Sequence, residues 1–405
     1  MGVEGFHTAM LISASTAPDR RGRDWPGPAA AAGRRWLAAV GFALACAFSL
    51  RAAETIKVGE FASLTGKQAS FGQTNHRGAV FAVEEINAAG GVLGRPLELV
   101  TEDPRSVPGE AATAVKKLLT RDKVAAVLGE TGSSAALEAA PLCQNAKVPM
   151  ISATATNPRV TEAGDYIFRA CYIDPFQGTV LAKFVHETLK VRRVAVLVAN
   201  SSAYSVGLTK YFREHFTTAG GEIVAEQKYS EGDKDFRAQL TAIKGAQPDA
   251  LFASGDYAES ALICVQARQL GITVPIFGGD TWDSPALVDI GGTSVEGGYF
   301  SAHFSPDSID PTVQTFVQRF RHRWSGASPD TGTSLGYDAV MLLADAIRRA
   351  GSTEGAKIRS ALAATKDFQG VTGRITIDAQ RNASKSAVIF TVKDGKFVYV
   401  QSVAP

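Results

Sequence analysis

The chain has 405 residues, 45% of them hydrophobic, with 42 basic against 40 acidic side chains. That length is generous for one core and suits two α/β lobes. Neither sign of charge runs in blocks, which excludes the basic stripe that phosphate contacts would need and with it a nucleic-acid partner.

The first stretch in chain order is apolar. Trp36 to Leu50, WLAAVGFALACAFSL, follows Gly33-Arg34-Arg35 and ends beside Ala52 and Ala53. At about fifteen residues it is short for a membrane span and has the length of a signal-peptide core. Residues 1–53 therefore read as an export signal with a long N-terminal extension, and residues 54–405 as the exported domain. Six basic and three acidic side chains fall in the signal segment, so the domain itself is close to neutral. Ala43-Leu44-Ala45-Cys46 has the outline of a lipoprotein box, with a lipid on Cys46 as the less favoured alternative. Beyond it, Cys143, Cys171 and Cys264 are odd in number and irregular in spacing, which fits buried free thiols and neither a disulfide framework nor a zinc site.

From Ile56 onward, short β-rich runs alternate with helical segments. Strands are expected at Ile56–Phe61, Leu97–Glu102, Val124–Gly129, Val148–Ala153, Val194–Ala199, Ile223–Gln227, Ala250–Ser254 and Pro275–Gly278. Helices are expected at Asn75–Ala89, Glu110–Arg121, Ser205–Ala219 and Tyr257–Leu270. In the first helix Ala79, Val83 and Ile86 recur at helical spacing, and Gly90-Gly91 supplies the left-handed stop. This alternation predicts α/β architecture with doubly wound parallel sheets. Such sheets bind ligands beyond the carboxyl ends of their strands.

Three strand-end loops carry distinctive chemistry. Gly129-Glu130-Thr131-Gly132-Ser133-Ser134 runs straight into a helix, where Ser133 and Ser134 hydroxyls and free backbone N–H groups meet the positive end of the dipole. The plainer reading of either serine is an N-cap. Thr154-Ala155-Thr156-Asn157-Pro158 adds two hydroxyls and a carbonyl at the edge of the same sheet. Gly279-Asp280-Thr281-Trp282-Asp283-Ser284 pairs an acid with an aromatic ring, a combination able to hold an ammonium. Asp280 is the better ligand of its two acids, and Asp283 is more simply the cap of the next helix. Phe71 and Tyr204 stand at loop-to-helix junctions where they can wall a pocket. There is no nucleophile elbow, Walker loop or paired-histidine motif in the sequence, so neither an enzyme nor a cofactor or metal site is expected. Histidines 76, 186, 215, 303 and 322 are scattered and read as solvent-facing or structural.

Taken in order, these pieces resemble the leucine/isoleucine/valine-type (type I) periplasmic substrate-binding proteins of branched-chain amino-acid ABC transporters. The likeness runs from about Ile56 to Val403. It is carried by Ile56-Lys57-Val58-Gly59 with Leu64-Thr65-Gly66, by Glu85-Ile86-Asn87-Ala88-Ala89-Gly90-Gly91, and by the Gly129 to Ser134 loop. Further pieces are Phe168-Arg169 with Asp174-Pro175-Phe176-Gln177-Gly178, Asp235-Phe236, Gln266-Ala267-Arg268, Gly279-Asp280 and Gly336-Tyr337-Asp338-Ala339.

The resemblance implies two lobes joined by three crossings that close on the ligand by a hinge. Lobe 1 would be 54–172 plus 303–372, and lobe 2 would be 173–302 plus 373–405. It implies a ligand carboxylate at Ser133 and Thr156, an ammonium at the Thr154 carbonyl and Asp280, and walls from Phe71 and Tyr204. It also implies delivery to ABC permease subunits in the inner membrane by a monomer. The chain departs from the family where Asp256 replaces a usual aromatic residue and Gly332 a bulkier one. A buried carboxylate at Asp256 must find a partner or turn out of the cleft. If it faces the ligand, it favours a more polar or cationic solute than leucine. An amino acid is the favoured ligand. A co-sensor of the same fold, or a binder of an amide, urea or an aromatic acid, is the alternative.

Overall fold

The computed structural model describes residues 54–129 and 132–405. The export signal, its cleavage point and Cys46 lie outside them. Among the described residues, no helix is long and apolar enough to cross a membrane.

The first sheet is wholly parallel and takes its strands from the first third of the chain. They are β1 (Ile56–Phe61), β2 (Leu97–Glu102), β3 (Ala126–Gly129), β4 (Met150–Ser152) and β5 (Ile167–Arg169), in spatial order β2-β1-β3-β4-β5. Order reverses between β1 and β3, which makes that edge the switch point where ligands settle. Apolar side chains of these strands are buried on both faces, as a covered parallel sheet requires.

The second lobe repeats the design with β6 (Arg193–Ala199), β7 (Glu222–Tyr229), β8 (Ala250–Ala253), β9 (Ile276–Gly278) and β10 (Tyr299–Ala302), ordered β7-β6-β8-β9-β10. A small sheet is made by β11 (Phe368–Gly370), β12 (Gly373–Ile377) and β13 (Ala383–Ser384). The last strands, β14 (Ala387–Lys393) and β15 (Lys396–Val403), extend the second sheet antiparallel to β10 and to each other. The second sheet is therefore mixed, where strict strand–helix alternation predicts a parallel one. The Asp394-Gly395 turn, whose residues both have positive φ (52° and 67°), joins β14 to β15 as a tight hairpin.

Core membership shows where the chain changes lobe. Cys171 packs in the first lobe's core and Tyr172 in the second's; Ala302 belongs to the second and Phe304 to the first; Ala383 belongs to the first and Ala387 to the second. Ile375, Ile377 and Ala383 pack in the first core although they lie beyond residue 372, where the resemblance puts the third crossing. Pairing of β12 with β11 and β13 holds them there.

In the first lobe the helices Ala69–Ala88 and Thr331–Ala350 press together so closely that a Cβ on Gly78 would strike the Thr333 carbonyl, and one on Gly336 the Asn75 carbonyl. Gly332 belongs to the same contact. A side chain there would strike Thr74, so its smallness serves helix packing and opens no space in the cleft. Gly90 and Gly91, at φ 95° and 81°, close the first helix, and the Gly91 N–H donates to the Ile86 carbonyl at 2.8 Å. Cys143, Cys171 and Cys264 are free and buried, and burial pushes each thiol up to about 12. Such thiols are inert.

Candidate functional site

Between the two sets of strand ends lies a small, tightly closed cavity of about 30 Å³. Gln68, Phe71, Gly72, Gly132, Ser133 and Thr154 line it from the first lobe; Tyr204, Asp256, Tyr257, Asp280 and Thr281 line it from the second. They stand on the loops that leave β1, β3, β4, β6, β8 and β9 and on the first turns of the helices that follow, all at carboxyl ends.

The first lobe presents neutral hydrogen-bonding groups. The helix Ser133–Ala146 begins at the cavity, and the N-cap position belongs to Gly132 without a side-chain capping bond. Ser133 is no cap: its Oγ accepts from the Asn157 backbone N–H at 3.2 Å, tying the two hydroxyl-bearing loops together. The first-turn N–H groups of this helix are left for an outside acceptor, as at any helix start. Thr154 Oγ1 is buried with no partner among the described residues. The loop behind it is held by Arg169, which is fully buried. Its Nη1 donates to the Ala155 carbonyl at 2.5 Å and its Nη2 to the Asn157 carbonyl at 2.8 Å.

The second lobe presents acids. Asp280 opens a short 3-10 turn after β9 and is 3% exposed. Tyr204 Oη donates to its Oδ1 at 2.7 Å, Gln177 Nε2 donates to the same oxygen at 2.8 Å, and His303 Nε2 sits 2.9 Å from Oδ2. Burial works to raise this carboxyl, but the three donors, His303 foremost, outweigh it and hold Asp280 below its ordinary value. The same burial lowers His303 to about 4 against the pull of Asp280. At neutral pH the imidazole is therefore uncharged and donates from Nε2, while Asp280 is a buried anion. No described lining residue is basic.

His303 lies on the second crossing, stacked at 3.5 Å on Tyr172 of the first crossing. It is a supporting residue that sequence reading places with the scattered histidines, because nothing in its local pattern announces the neighbour it acquires through folding. Gln177 was legible only as a piece of the family likeness. Gln68 and Tyr257 escape for a related reason: they face the cavity only once the lobes meet.

Several predicted residues take other places. Ser134 Oγ accepts from the Ala203 N–H at 3.2 Å across the lobes and does not line the cavity. Thr156 is fully buried behind the lining, its hydroxyl without a partner among the described residues, as are both carboxyl oxygens of Asp174. Burial pushes Asp174 up to about 8, with Thr156 and Arg169 pulling the other way and Asp280 adding to it. Trp282 is wholly buried in the second core. A 3-10 turn advances about 120° per residue, so two positions after Asp280 the side chain points inward and offers no ring face to a ligand. Ser284 caps the next helix through the Ala286 N–H at 3.3 Å, and Asp283 instead accepts from the Thr331 N–H at 3.2 Å.

The closed cleft is stitched directly. Gln68 Nε2 donates to Asp256 Oδ2 at 2.8 Å, Tyr257 Oη donates to the Lys67 carbonyl at 3.1 Å, Asn157 Nδ2 donates to the Ala203 carbonyl at 2.7 Å, and the Ser70 and Ser284 hydroxyls lie 2.9 Å apart. Among the described residues no cluster of side chains could hold a metal ion.

Comparison with known proteins agrees with this architecture. The family model described as "Periplasmic binding protein" matches residues 55–396. The chain is 30% identical over 365 residues to Leu/Ile/Val-binding protein homolog 3 of Brucella melitensis biotype 1, covering 89% of this chain and 98% of that protein. The leucine-binding protein of Thermotoga maritima superposes with TM-score 0.84 at 39% identity, covering 87% of this chain and 99% of that one. A branched-chain amino acid transporter substrate-binding protein of Streptococcus pneumoniae, solved with isoleucine, gives 0.82 at 37% identity over 87% of this chain and all of that one. With two α/β lobes, three crossings and a cavity at the strand ends between them, the chain belongs to the periplasmic binding protein family and has the type I fold.

Proposed function

We propose that this protein is the extracytoplasmic solute-binding component of an ABC importer and captures a small amino-acid-like ligand, branched-chain or related, in the inter-lobe cavity. The observation that carries this reading is the polarity of the cavity: a helix start and free hydroxyl on one wall, an ionised carboxylate on the other. A zwitterion matches it. The ligand carboxylate would meet the Ser133 loop and the first-turn N–H groups, and its ammonium the Thr154 carbonyl and Asp280. Phe71 and Tyr204 would wall it from opposite lobes. The lobes are taken as 54–171 plus 304–383 and 172–303 plus 384–405, closing by hinge motion through the three crossings and handing the ligand to a membrane permease as a monomer in the periplasm. Binding with no catalysed reaction is the role; the relatives named for leucine, isoleucine and valine support it.

Thermal shift against amino acids, amides and aromatic acids tests it. A ligand at 100 times its dissociation constant adds about 2.7 kcal/mol of stability. Free α-amino acids are expected to raise the midpoint, and their methyl esters and 2-hydroxy analogues to do so far less. A rise with aromatic acids or simple amides alone would overturn the zwitterion assignment.

A further inference from the structure

The cavity holds a second acid that the α-carboxylate and α-ammonium contacts leave unused. Asp256 ends the loop after β8 and occupies the N-cap position of the helix Tyr257–Gln269. An aspartate there ordinarily accepts from a first-turn backbone N–H. This one makes no such bond. Its side chain turns into the cavity, where Oδ2 accepts from Gln68 Nε2 at 2.8 Å and Oδ1 has no donor among the described residues. The loops of the two acids are joined, since Thr281 Oγ1 donates to the Gly255 carbonyl at 3.0 Å.

The surroundings do not neutralise Asp256. Glu259 of its own helix and Glu231 of the preceding loop add negative charge; Lys67 of the first lobe opposes them but is paired with Glu231 at 3.4 Å. Burial, reinforced by Glu259, pushes the Asp256 carboxyl up to about 7. A wholly aliphatic ligand would close this oxygen away from water with nothing to bond it, an arrangement that disfavours binding.

We propose that the ligand is an α-amino acid whose side chain ends in an N–H donor, an amide or an amine, received by Asp256 Oδ1 while Gln68 holds Oδ2. The proposal rests on the zwitterion reading above and narrows it. The Gln68 bond spans the lobes, so recognition of the side chain and closure of the cleft act through one carboxylate.

Isothermal titration of the protein with glutamine, lysine, leucine and norleucine separates the possibilities. Glutamine or lysine is expected to bind at least tenfold more tightly than leucine and norleucine, and Asp256→Leu to reverse that order. Asp256→Asn, which preserves shape and one acceptor, is expected to weaken lysine more than glutamine. Tightest binding of leucine by the unaltered protein would overturn the proposal. So would an equal loss for all four ligands in both variants, which would make Asp256 a latch between lobes and no more. Failure of every α-amino acid to bind would overturn the zwitterion reading as well, whereas leucine-led binding overturns this narrower one alone.

Discussion

The two walls of the cavity are built from the same strand order, yet they solve opposite problems. The first lobe leaves its groups open: a helix start without a side-chain cap and a Thr154 hydroxyl with no partner among the described residues. The second lobe saturates its principal group, giving Asp280 donors from Tyr204, Gln177 and His303. Neutral donors need little support in an empty site, because an unmet N–H or hydroxyl near a cleft can be hydrated. A buried carboxylate has to be stabilised before any ligand arrives. Under the proposed zwitterion reading, recognition of the anion would rest on backbone geometry and recognition of the cation on a preassembled ion.

The largest test of that contrast is Asp280→Ala. It removes the anion and leaves the buried Tyr204 and His303 donors unmet, while Gln177 keeps the Ser301 hydroxyl at 2.9 Å, so affinity for an α-amino acid should fall by about 2–5 kcal/mol, roughly 30- to several-thousand-fold in Kd, by calorimetric titration. A loss under threefold would refute the contrast. Next comes acid. His303 has a folded value near 4, below its ordinary 6.5. The stability it contributes is complete above about pH 6.5 and is lost as pH falls toward 4, because the unfolded chain takes up the proton first. Thermal midpoints measured between pH 7 and 4 should therefore decline more steeply for the parent than for His303→Gln, and parallel slopes would show that His303 carries no such linkage. The smallest effect belongs to the first lobe. Ser133→Ala removes one neutral hydroxyl beside intact backbone donors and should cost about 1 kcal/mol, roughly fivefold in Kd. A loss as large as that of Asp280→Ala would erase the distinction between the walls.

Much of this was legible before the structure. The β-branched runs at Ile56–Phe61 and Leu97–Glu102 coincide with β1 and β2, because their composition and bounding turns are local signals. The strand-end rule led to Ser133, Thr154 and Asp280, all of which line the cavity. What stayed hidden depends on distant parts of the chain meeting. Gln68 gains its role from a residue 188 positions away, and His303 from a carboxylate on another strand end. Trp282 misled for a local reason, since neighbouring aromatic and acidic residues in a tight turn face different ways. The C-terminal hairpin was written in Asp394-Gly395 between alternating residues, a signal of antiparallel pairing inside an otherwise parallel pattern.

The alternating core membership has a consequence for how the chain acquires its shape. The first lobe's core needs Ile375, Ile377 and Ala383, and the second's needs Ala387, Ile389, Phe390 and Val392. Neither lobe can finish packing until the last thirty or so residues have been made, and contacts separated by so much sequence form slowly. A nascent chain of this topology remains unfinished throughout its synthesis, with its apolar surface open to chaperones. The order of its segments thus postpones compaction until the whole length has been made.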